Sequence, residues 1–424
     1  MSQLRPVAVL VDAYTSGGYL PPEFTALGAD LVHVQSTPGL MPSMPAPDLT
    51  VYRANIVHED LDRTVAELAR YAPVCVLAGQ EPGVLLADRL SERLGLATNG
   101  TELSEARRNK YRMIEVLHAA GLHCADQFKS GDPQALVDWA QRAGRYPVVV
   151  KPLDSAAGDG VVVCADAEQV RSAAKAVLDT ETIYGSPNRE ALVQSYLEGT
   201  EYVVDMVSHE GRRYVCGVWE YQKRLLPSGR NIYDRERLLS PAEPPAAELT
   251  DYVDRALAAL GVRHGPSHAE VIVTADGPAL VEVGSRIAGN MHPGFHDRCT
   301  GANQATLSAL AYLRPERFAA EYAGRSYHKF EEAVCCTTST TLSGVVESVD
   351  ERAVRRIAGL ESVFGLNLKL GPGDRIRPTV DLYSSTLRIF QCAGTADAIH
   401  RDHRRIEELK DQVYRLSDTE SGER

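Results

Sequence analysis

Lys151 closes the apolar run Pro147-Val-Val-Val-Lys151, and a lysine ending a buried strand is costly unless its ammonium meets an anion. Four residues on, Ser155-Ala-Ala-Gly158-Asp-Gly160 supplies small residues whose backbone N–H groups could close over phosphates. Together they suggest a triphosphate site, although a lysine snorkelling from a strand into a plain hairpin turn accounts for the same two features as well. The segment is not a Walker A loop, because the lysine precedes the glycines and no G-K-[ST] follows them. A second constellation is Glu270 and Glu282, twelve residues apart around Ala275-Asp276-Gly277, a hairpin signal. With a three-residue loop the two glutamates become cross-strand partners on one face, where they repel unless cations lie between them. Carboxylates plus nucleotide phosphates suit Mg²⁺, which keeps waters and needs few protein ligands. The apolar neighbours in Ala-Glu270-Val-Ile-Val and Leu-Val-Glu282-Val weaken the reading as two glutamates on a solvated hairpin.

The elements that must hold these residues alternate. The chain opens with a strand (Val7 to Val11), a Gly17-Gly18 turn, a helix near Glu23 to Leu27 and a strand (Leu31 to Val34). The pattern recurs in the helix Leu61 to Tyr71, the strand Val74 to Ala78 and the helix Gly83 to Leu94, which predicts an α/β domain with a mostly parallel sheet. Pro38 to Pro47, with four prolines, predicts an extended loop. A helix from about Ser104 carries Lys110 early and stops at Gly121. Strands Val148 to Lys151 and Val161 to Cys164, a helix Ala167 to Leu178, and strands Ala191 to Tyr196, Glu201 to Val207 and Tyr214 to Tyr221 come next. A polar loop, a helix Glu248 to Leu260 and the hairpin strands Ala269 to Thr274 and Ala279 to Val283 follow. From about residue 328 short strands and Gly/Pro turns give way to a charged helix after Ala396, a small α+β domain.

Composition narrows the function classes. The 424 residues are 44 % apolar and 24 % charged, ordinary values for a folded protein of two or three domains. With 45 Lys+Arg against 57 Asp+Glu, the net charge of −12 gives no general field for a nucleic-acid backbone or an anionic membrane. No apolar run reaches the length of a membrane helix, and the opening residues lack the cationic and apolar regions of a signal peptide, so the expected location is cytoplasmic. The eight cysteines show no C-x-x-C spacing, which indicates neither a disulfide framework nor a zinc site. His264/His268 and His292/His296 have i, i+4 spacing, but Pro266 and Pro293-Gly294 break the helix that would make each a metal pair.

In chain order, Lys110, Val-Val-Val-Lys151-Pro, Ser-Ala-Ala-Gly158-Asp-Gly160, Val-Gln194-Ser-Tyr-Leu197-Glu-Gly-Thr-Glu201, Glu270 and Leu-Val-Glu282-Val-Gly-Ser-Arg286 resemble the ATP-grasp ligases. The tail, Gly371-Pro-Gly-Asp-Arg-Ile-Arg-Pro-Thr-Val-Asp with Phe390-Gln-Cys-Ala-Gly394, looks like the C-terminal domain of the L-amino-acid ligase branch. The resemblance implies an ATP-grasp α/β fold: an N-terminal α/β domain over 1–105, a catalytic region over 106–325 with a lid at about 125–195, and a C-terminal α+β domain over 326–424. It implies that Lys110 and Lys151 contact the phosphates of ATP, that the loop with Ser155, Gly158 and Gly160 closes as a lid, and that Gln194, Tyr196 and Leu197 form the hinge holding adenine. Glu201 would accept from the ribose hydroxyls. Glu270 and Glu282 would hold Mg²⁺, for which Mn²⁺ could substitute, and Arg286 would neutralise the acyl phosphate or transferred phosphoryl group. Lys223 matches a further phosphate lysine, although an exposed strand-end lysine describes it nearly as well. One position departs from the family pattern: the Asn that usually follows the second glutamate by two residues is Gly284 here. Asn290, Ser285 or a water could replace that ligand.

The activity implied is ATP-dependent joining of a small-molecule carboxylate, an amino acid in the branch named, to an amine through an acyl phosphate, with release of ADP and phosphate. The amine-attack step needs a base or a neutral amine, and the sequence singles none out; Glu81 and His292 are candidates, each equally readable as a structural loop residue. A dipeptide product, a homodimer and the absence of nucleic-acid or membrane partners complete the expectation. Two rivals remain: the same acyl phosphate captured by another acceptor, as in purine-biosynthesis or carboxylase relatives of the fold, and a non-catalytic nucleotide-binding module. Retention of both lysines and both glutamates argues against the second.

Overall fold

The computed structural model describes residues 5–41, 44–144, 146–154, 160–182, 187–225, 231–380 and 384–417. They form two compact units: one takes the chain up to Val218 with Pro241–Pro293 and Ala302–Tyr327, the other Trp219–Ser240, Gly294–Gly301 and the chain from His328 onward.

The first unit opens with β1 (Val7–Val11), α1 (Leu20–Ala26), β2 (Asp30–Gln35), β3 (Ala54–Val57), α2 (Leu61–Ala69), β4 (Pro73–Ala78) and α3 (Val84–Arg93). The strands pair in parallel in the order β3-β2-β1-β4. Both faces of the sheet are covered, as short apolar runs without alternation require. Ala8, Leu10 and Leu77 pack on Leu20 and Phe24 of α1, while Val9, Val11 and Val76 pack on Leu68 of α2 and Leu90 of α3. The loops after β1 and β4 touch backbone to backbone: a Cβ on Gly79 would lie 2.4 Å from the Cα of Ala13, so only glycine fits there. This brings the segment after β4, with Glu81, to the carboxyl ends of the strands, where open α/β sheets bind ligands.

Next come α4 (Lys110–Ala119), β5 (Gln127–Ser130), α5 (Pro133–Ala143), β6 (Val148–Pro152), β7 (Val162–Cys164), α6 (Ala167–Leu178) and β8 (Ala191–Ser195). The four strands form an antiparallel sheet in the order β5-β8-β6-β7. Val148, Val150 and Val193 bury one face of it against Leu136 and Val137 of α5 and Val170 of α6. Strand alternation therefore turns Val149, Lys151, Leu192 and Gln194 to the other face. β5 does not stand out in the apolar periodicity, whereas α5 carries an apolar stripe, Leu136, Val137 and Ala140, that sequence reasoning did not use. Its start signal is Asp132-Pro133, with the Asp132 carboxylate accepting from the Gln134 N–H at 2.9 Å.

The rest of the first unit holds β9 (Thr200–His209), the start of β10 (Arg212–Leu225), α7 (Ala246–Ala259), β12 (Gly265–Thr274) and β13 (Gly277–Gly284). Past β11 (Asn231–Leu238), α8 (Pro293–Thr300) is followed by α9 (Gln304–Leu313) and α10 (Pro315–Glu321). Strand order in this unit is β13-β12-β9-β10. In the second unit β10 continues, pairs with β11, and the order runs on through β14 (Glu332–Thr337), β18 (Leu387–Ala393) and β16 (Val363–Leu368). The segment expected to be a polar loop before α7 thus contains a strand, because Asp234, Glu236 and Leu238 alternate inward and the pairing with β10 satisfies the backbone. A second small sheet is β17 (Arg375–Ile376), β15 (Gly344–Val349) and β19 (Tyr414–Leu416) in that order. The helices α11 (Glu351–Ala358) and α12 (Ala396–Leu409) bury Ile357, Ile399 and Ile406 in this unit's core. No disulfide joins any of the eight cysteines, all of which lie among the described residues. Among the described residues no helix is long and apolar enough to cross a membrane.

Candidate active site

Glu270 and Glu282 pair directly across β12 and β13. The route differs from the expected three-residue loop. Thr274 pairs with Gly277 across a two-residue turn, a register that would set Val281 opposite Glu270; an irregularity between Glu270 and Val271 shifts the ladder by one and brings Glu282 there instead. The register β13-β12-β9 then places Glu282 and Gly284, Glu270 and His268, and Val203, Asp205 and Glu201 on one sheet face.

On that face the charges are interleaved. Glu282 Oε2 lies 2.6 Å from Lys110 Nζ. Burial works to raise the Glu282 pKa, but Lys110, Lys151 and Arg286 hold it below the ordinary value. Burial likewise works against the Lys110 charge, and Glu282, with Glu81 and Glu270, more than offsets it. Glu270 Oε1 lies 3.7 Å from His268 Nε2, and His268 Nδ1 is 2.8 Å from Asp205 Oδ1. Burial opposes the imidazolium, yet Asp205 and Glu270 raise the His268 pKa to about 10. Two largely buried carboxylates, each held by a cation, form an all-oxygen donor pair of the kind Mg²⁺ takes when phosphates and water complete its shell. Among the described residues no group of three or more His, Cys, Asp or Glu side chains could hold a metal alone, so the fit is to a phosphate-assisted ion.

Lys151, on the open face of the β6 sheet, is 5 % exposed and makes no ion pair with a described residue. Burial, then the charge of Lys110, pulls its pKa down to about 8, against the opposing pull of Glu282, Glu270 and Glu201. It is a buried cation surrounded by other charges and lacking a direct counter-ion, the condition an incoming polyphosphate would relieve. Lys110 enters from the first turn of α4, whose N-cap Asn109 accepts from the N–H groups of Tyr111 and Arg112 at 3.0 and 3.1 Å. Its own N–H donates to Leu153 O at 3.1 Å, tying the start of α4 to the end of β6. Gln194 shares the Lys151 face and donates to Gln127 Oε1 at 3.1 Å, while Gln127 donates to Tyr111 O at 2.8 Å.

Beside the lysines lies a cluster of three arginine and carboxylate contacts. Arg108 Nη1 is 3.0 Å from Glu81 Oε1, Arg108 Nη2 is 3.0 Å from Asp154 Oδ1, and Arg286 Nε is 3.0 Å from Glu81 Oε2. With Lys110, Glu282 and Gly284 these residues line one small cavity. Both oxygens of Glu81 are thus engaged by guanidinium groups, which is an ion-pair bridge rather than a free base. His292 has its pKa lowered by burial and its ring 5.9 Å from that of Tyr19.

The structure therefore brings Lys110, Lys151, Glu201, Glu270, Glu282 and Arg286 into one charged neighbourhood. Tyr196 is exposed and Leu197 half-buried in the stretch between β8 and β9, next to Gln194. Gly160 is described and exposed, while Ser155 and Gly158 lie outside the described residues. Lys223 belongs to the second unit, exposed on β10 and paired in register with Tyr233. Sequence reasoning passed over Arg108, Asp154 and Asp205, and considered His268 only as a metal partner of His264, which it set aside. Only His268 had a readable signal, its i, i+2 spacing to Glu270 on a strand.

A nucleotide-type cleft face carrying paired carboxylates and converging lysines defines the class, and residues 144–293 match the ATP-grasp domain family. Dapdiamide A synthase from Enterobacter agglomerans is 33 % identical over 422 residues, 97 % of each chain. The chain belongs to the ATP-grasp ligases and is an ATP-dependent, ADP-forming carboxylate–amine ligase. Its fold matches the L-amino acid ligase from Bacillus licheniformis, with a TM-score of 0.76 and 18 % identity over 98 % of this chain and 100 % of that one. It also matches the biotin carboxylase domain of the Hydrogenobacter thermophilus 2-oxoglutarate carboxylase, solved with MgADP, ADP and bicarbonate, with a TM-score of 0.65 and 16 % identity over 98 % and 91 % of the two chains.

Proposed function

We propose that both substrates are amino acids or amino-acid-like molecules and that the product is a dipeptide or related amide. The observation that carries the reading is the set Lys110, Lys151, Glu270, Glu282 and Arg286 in one charged neighbourhood, in a chain that aligns with dapdiamide A synthase over 97 % of its length and shares the fold of an L-amino acid ligase. A carboxylate oxygen of the first substrate attacks the γ-phosphorus of ATP, the bond from that phosphorus to the bridging oxygen of ADP breaks, and an acyl phosphate forms. The amine of the second substrate, having lost its proton, then attacks the acyl carbon; the C–N bond forms as the C–O bond to phosphate breaks.

Nucleophile and γ-phosphoryl group both carry negative charge, so the protein's task is positioning and neutralisation. Lys151 and Lys110 supply fixed cations to the polyphosphate, and Glu201 accepts from the ribose hydroxyls. Glu270 and Glu282 would hold Mg²⁺, which when bound would neutralise the phosphate oxygens. Arg286 presents a planar guanidinium to the transferred phosphoryl group or acyl phosphate. Gln194, Tyr196 and Leu197 form the adenine hinge.

The test is mass spectrometry of reactions containing ATP, Mg²⁺ and mixed proteinogenic amino acids, with parallel trapping by hydroxylamine. A condensed product and a hydroxamate formed in step with ADP are expected. ADP with no condensed product across the set would overturn the amino-acid reading in favour of a specialised acid or amine.

A further inference from the structure

Glu81 opens a short 3₁₀ turn (Glu81–Gly83) after β4, and the turn is anchored at Gln80, whose Oε1 accepts from the Glu81 N–H at 3.2 Å and whose Nε2 donates to Ser16 Oγ at 2.6 Å. From there its carboxylate reaches a strand end far along the chain: one oxygen takes Arg108, the other takes Arg286 Nε at 3.0 Å. The side chains of Glu81, Arg108 and Arg286 are 15, 9 and 12 % exposed, so the bridge is shielded from water and from salt. Arg286 Nη1 also donates to Ile287 O at 3.1 Å, which fixes the guanidinium plane from a second side.

Gly284 is what admits this bridge. A Cβ built on it would lie 2.9 Å from Glu81 Oε2, 3.0 Å from Arg286 Cζ and 3.2 Å from Arg286 Nε. The atoms in the way are the ends of flexible side chains, so a methyl group there would leave the strand intact and push the two charged groups apart.

We infer that Glu81 is the positioning residue for Arg286 and that Gly284 stands where the family pattern has Asn because any side chain there would evict Glu81 from Arg286. The inference rests on the reading that Arg286 serves the phosphoryl group or acyl phosphate. The departure from the pattern is thus a gain of an arginine clamp running from the loop after β4 to the end of β13.

The experiment compares Gly284→Ala, Glu81→Ala, the double variant, Glu81→Gln and Arg286→Ala. ADP release and hydroxamate formation are measured with ATP, Mg²⁺, hydroxylamine and an equimolar mixture of proteinogenic amino acids, together with ADP binding and melting temperature. Gly284→Ala and Glu81→Ala are each expected to lower kcat at least tenfold with KM for ATP and ADP affinity within twofold of wild type. Adding Gly284→Ala to Glu81→Ala is expected to cost nothing further, and Glu81→Gln to restore part of the loss. Independently of any substrate, the Nε–H resonance of Arg286 should be protected from solvent exchange in the wild type and exposed in Gly284→Ala and in Glu81→Ala. Additive effects of the two substitutions, or an Arg286 resonance unmoved by Gly284→Ala, would overturn the inference. Full activity of Arg286→Ala would instead overturn the underlying reading of Arg286, so the two failures are separable.

Discussion

Lys151 carries opposite demands at the level of a single side chain. Among the described residues its buried charge lacks a direct counter-ion, and its pKa of about 8 lies below the ordinary 10.5. Between those two values the unfolded chain binds the proton more tightly than the folded one, so this residue makes stability rise with pH across that window and costs stability below it. Lys151→Met should therefore raise the melting temperature at pH 7, by on the order of 2 °C, while abolishing measurable ATP binding; a variant that melts lower and still binds ATP would sink the assignment. The same titration shapes catalysis. The amine must lose a proton to attack, which gives a rising limb from acidic pH, and Lys151 loses its charge above about 8, which gives a falling one. Lys151→Arg keeps the cation at all accessible pH, so its kcat/KM profile for ATP should lack the falling limb. Glu282→Gln is nearly isosteric but no longer answers the Lys110 ammonium 2.6 Å away; turnover should fall by at least a hundredfold at limiting Mg²⁺ with the circular dichroism spectrum unchanged.

The hairpin and the start of α4 show how elements set the site. The ladder irregularity beside Glu270 offsets a turn that is one residue shorter than the expected loop, and the two glutamates face each other only because both occur together. At α4, Asn109 caps the helix at the residue before Lys110, so the cap sets the direction of the Lys110 side chain. Asn109→Ala should cost about 1 kcal/mol of stability, the usual value for a lost N-cap. It should also weaken ADP binding several-fold, because the first turn that aims Lys110 frays. Thermal denaturation and calorimetric titration of the same preparations check both; a loss of stability with ADP affinity unchanged would show that the cap does not position Lys110.

Across the first unit, one buried pair joins segments that the chain separates widely. Arg107 is fully buried, its guanidinium lies 2.9 Å from Asp88 Oδ2, and it donates to Leu260 O at 2.9 Å and to Gly100 O. It thereby locks α3 of the N-terminal sheet to the approach to α4 and to the end of α7. Removing one member of such a pair strands a buried charge, which costs about 3–5 kcal/mol. Arg107→Met should lower the melting temperature more than the double variant Asp88→Leu/Arg107→Met, and a double variant that loses the sum of the two single losses would show that the pair is not coupled. Because Arg107 precedes Arg108 and Lys110 in the chain, the single variant should also weaken nucleotide binding.

The sequence by itself determined the residue types and the order of the parts. A lysine closing an apolar strand, two glutamates about a hairpin and a β/α alternation were legible because each is a local pattern, set by periodicity of two or 3.6 and by turn chemistry within about a dozen residues. Most of the elements were legible for the same reason. Segments β5 and β11 were not, since their polar, short runs become elements only when a neighbouring strand pairs with them, whereas α5 has its own apolar stripe at Leu136, Val137 and Ala140 and was passed over. What only the tertiary structure decided is which charges meet. Glu81 and Arg286, Arg108 and Asp154, and Asp205 and His268 are apart in the chain and carry no spacing rule. Glu81 meets Arg286 through the close backbone approach at Gly79 and the absence of a side chain at Gly284, Arg108 meets Asp154 where the Lys110 N–H ties α4 to the end of β6, and Asp205 meets His268 through the β9–β12 register. Long-range electrostatic contacts of this kind are fixed by the packing of the elements that bear them, and no local preference in the sequence encodes that packing.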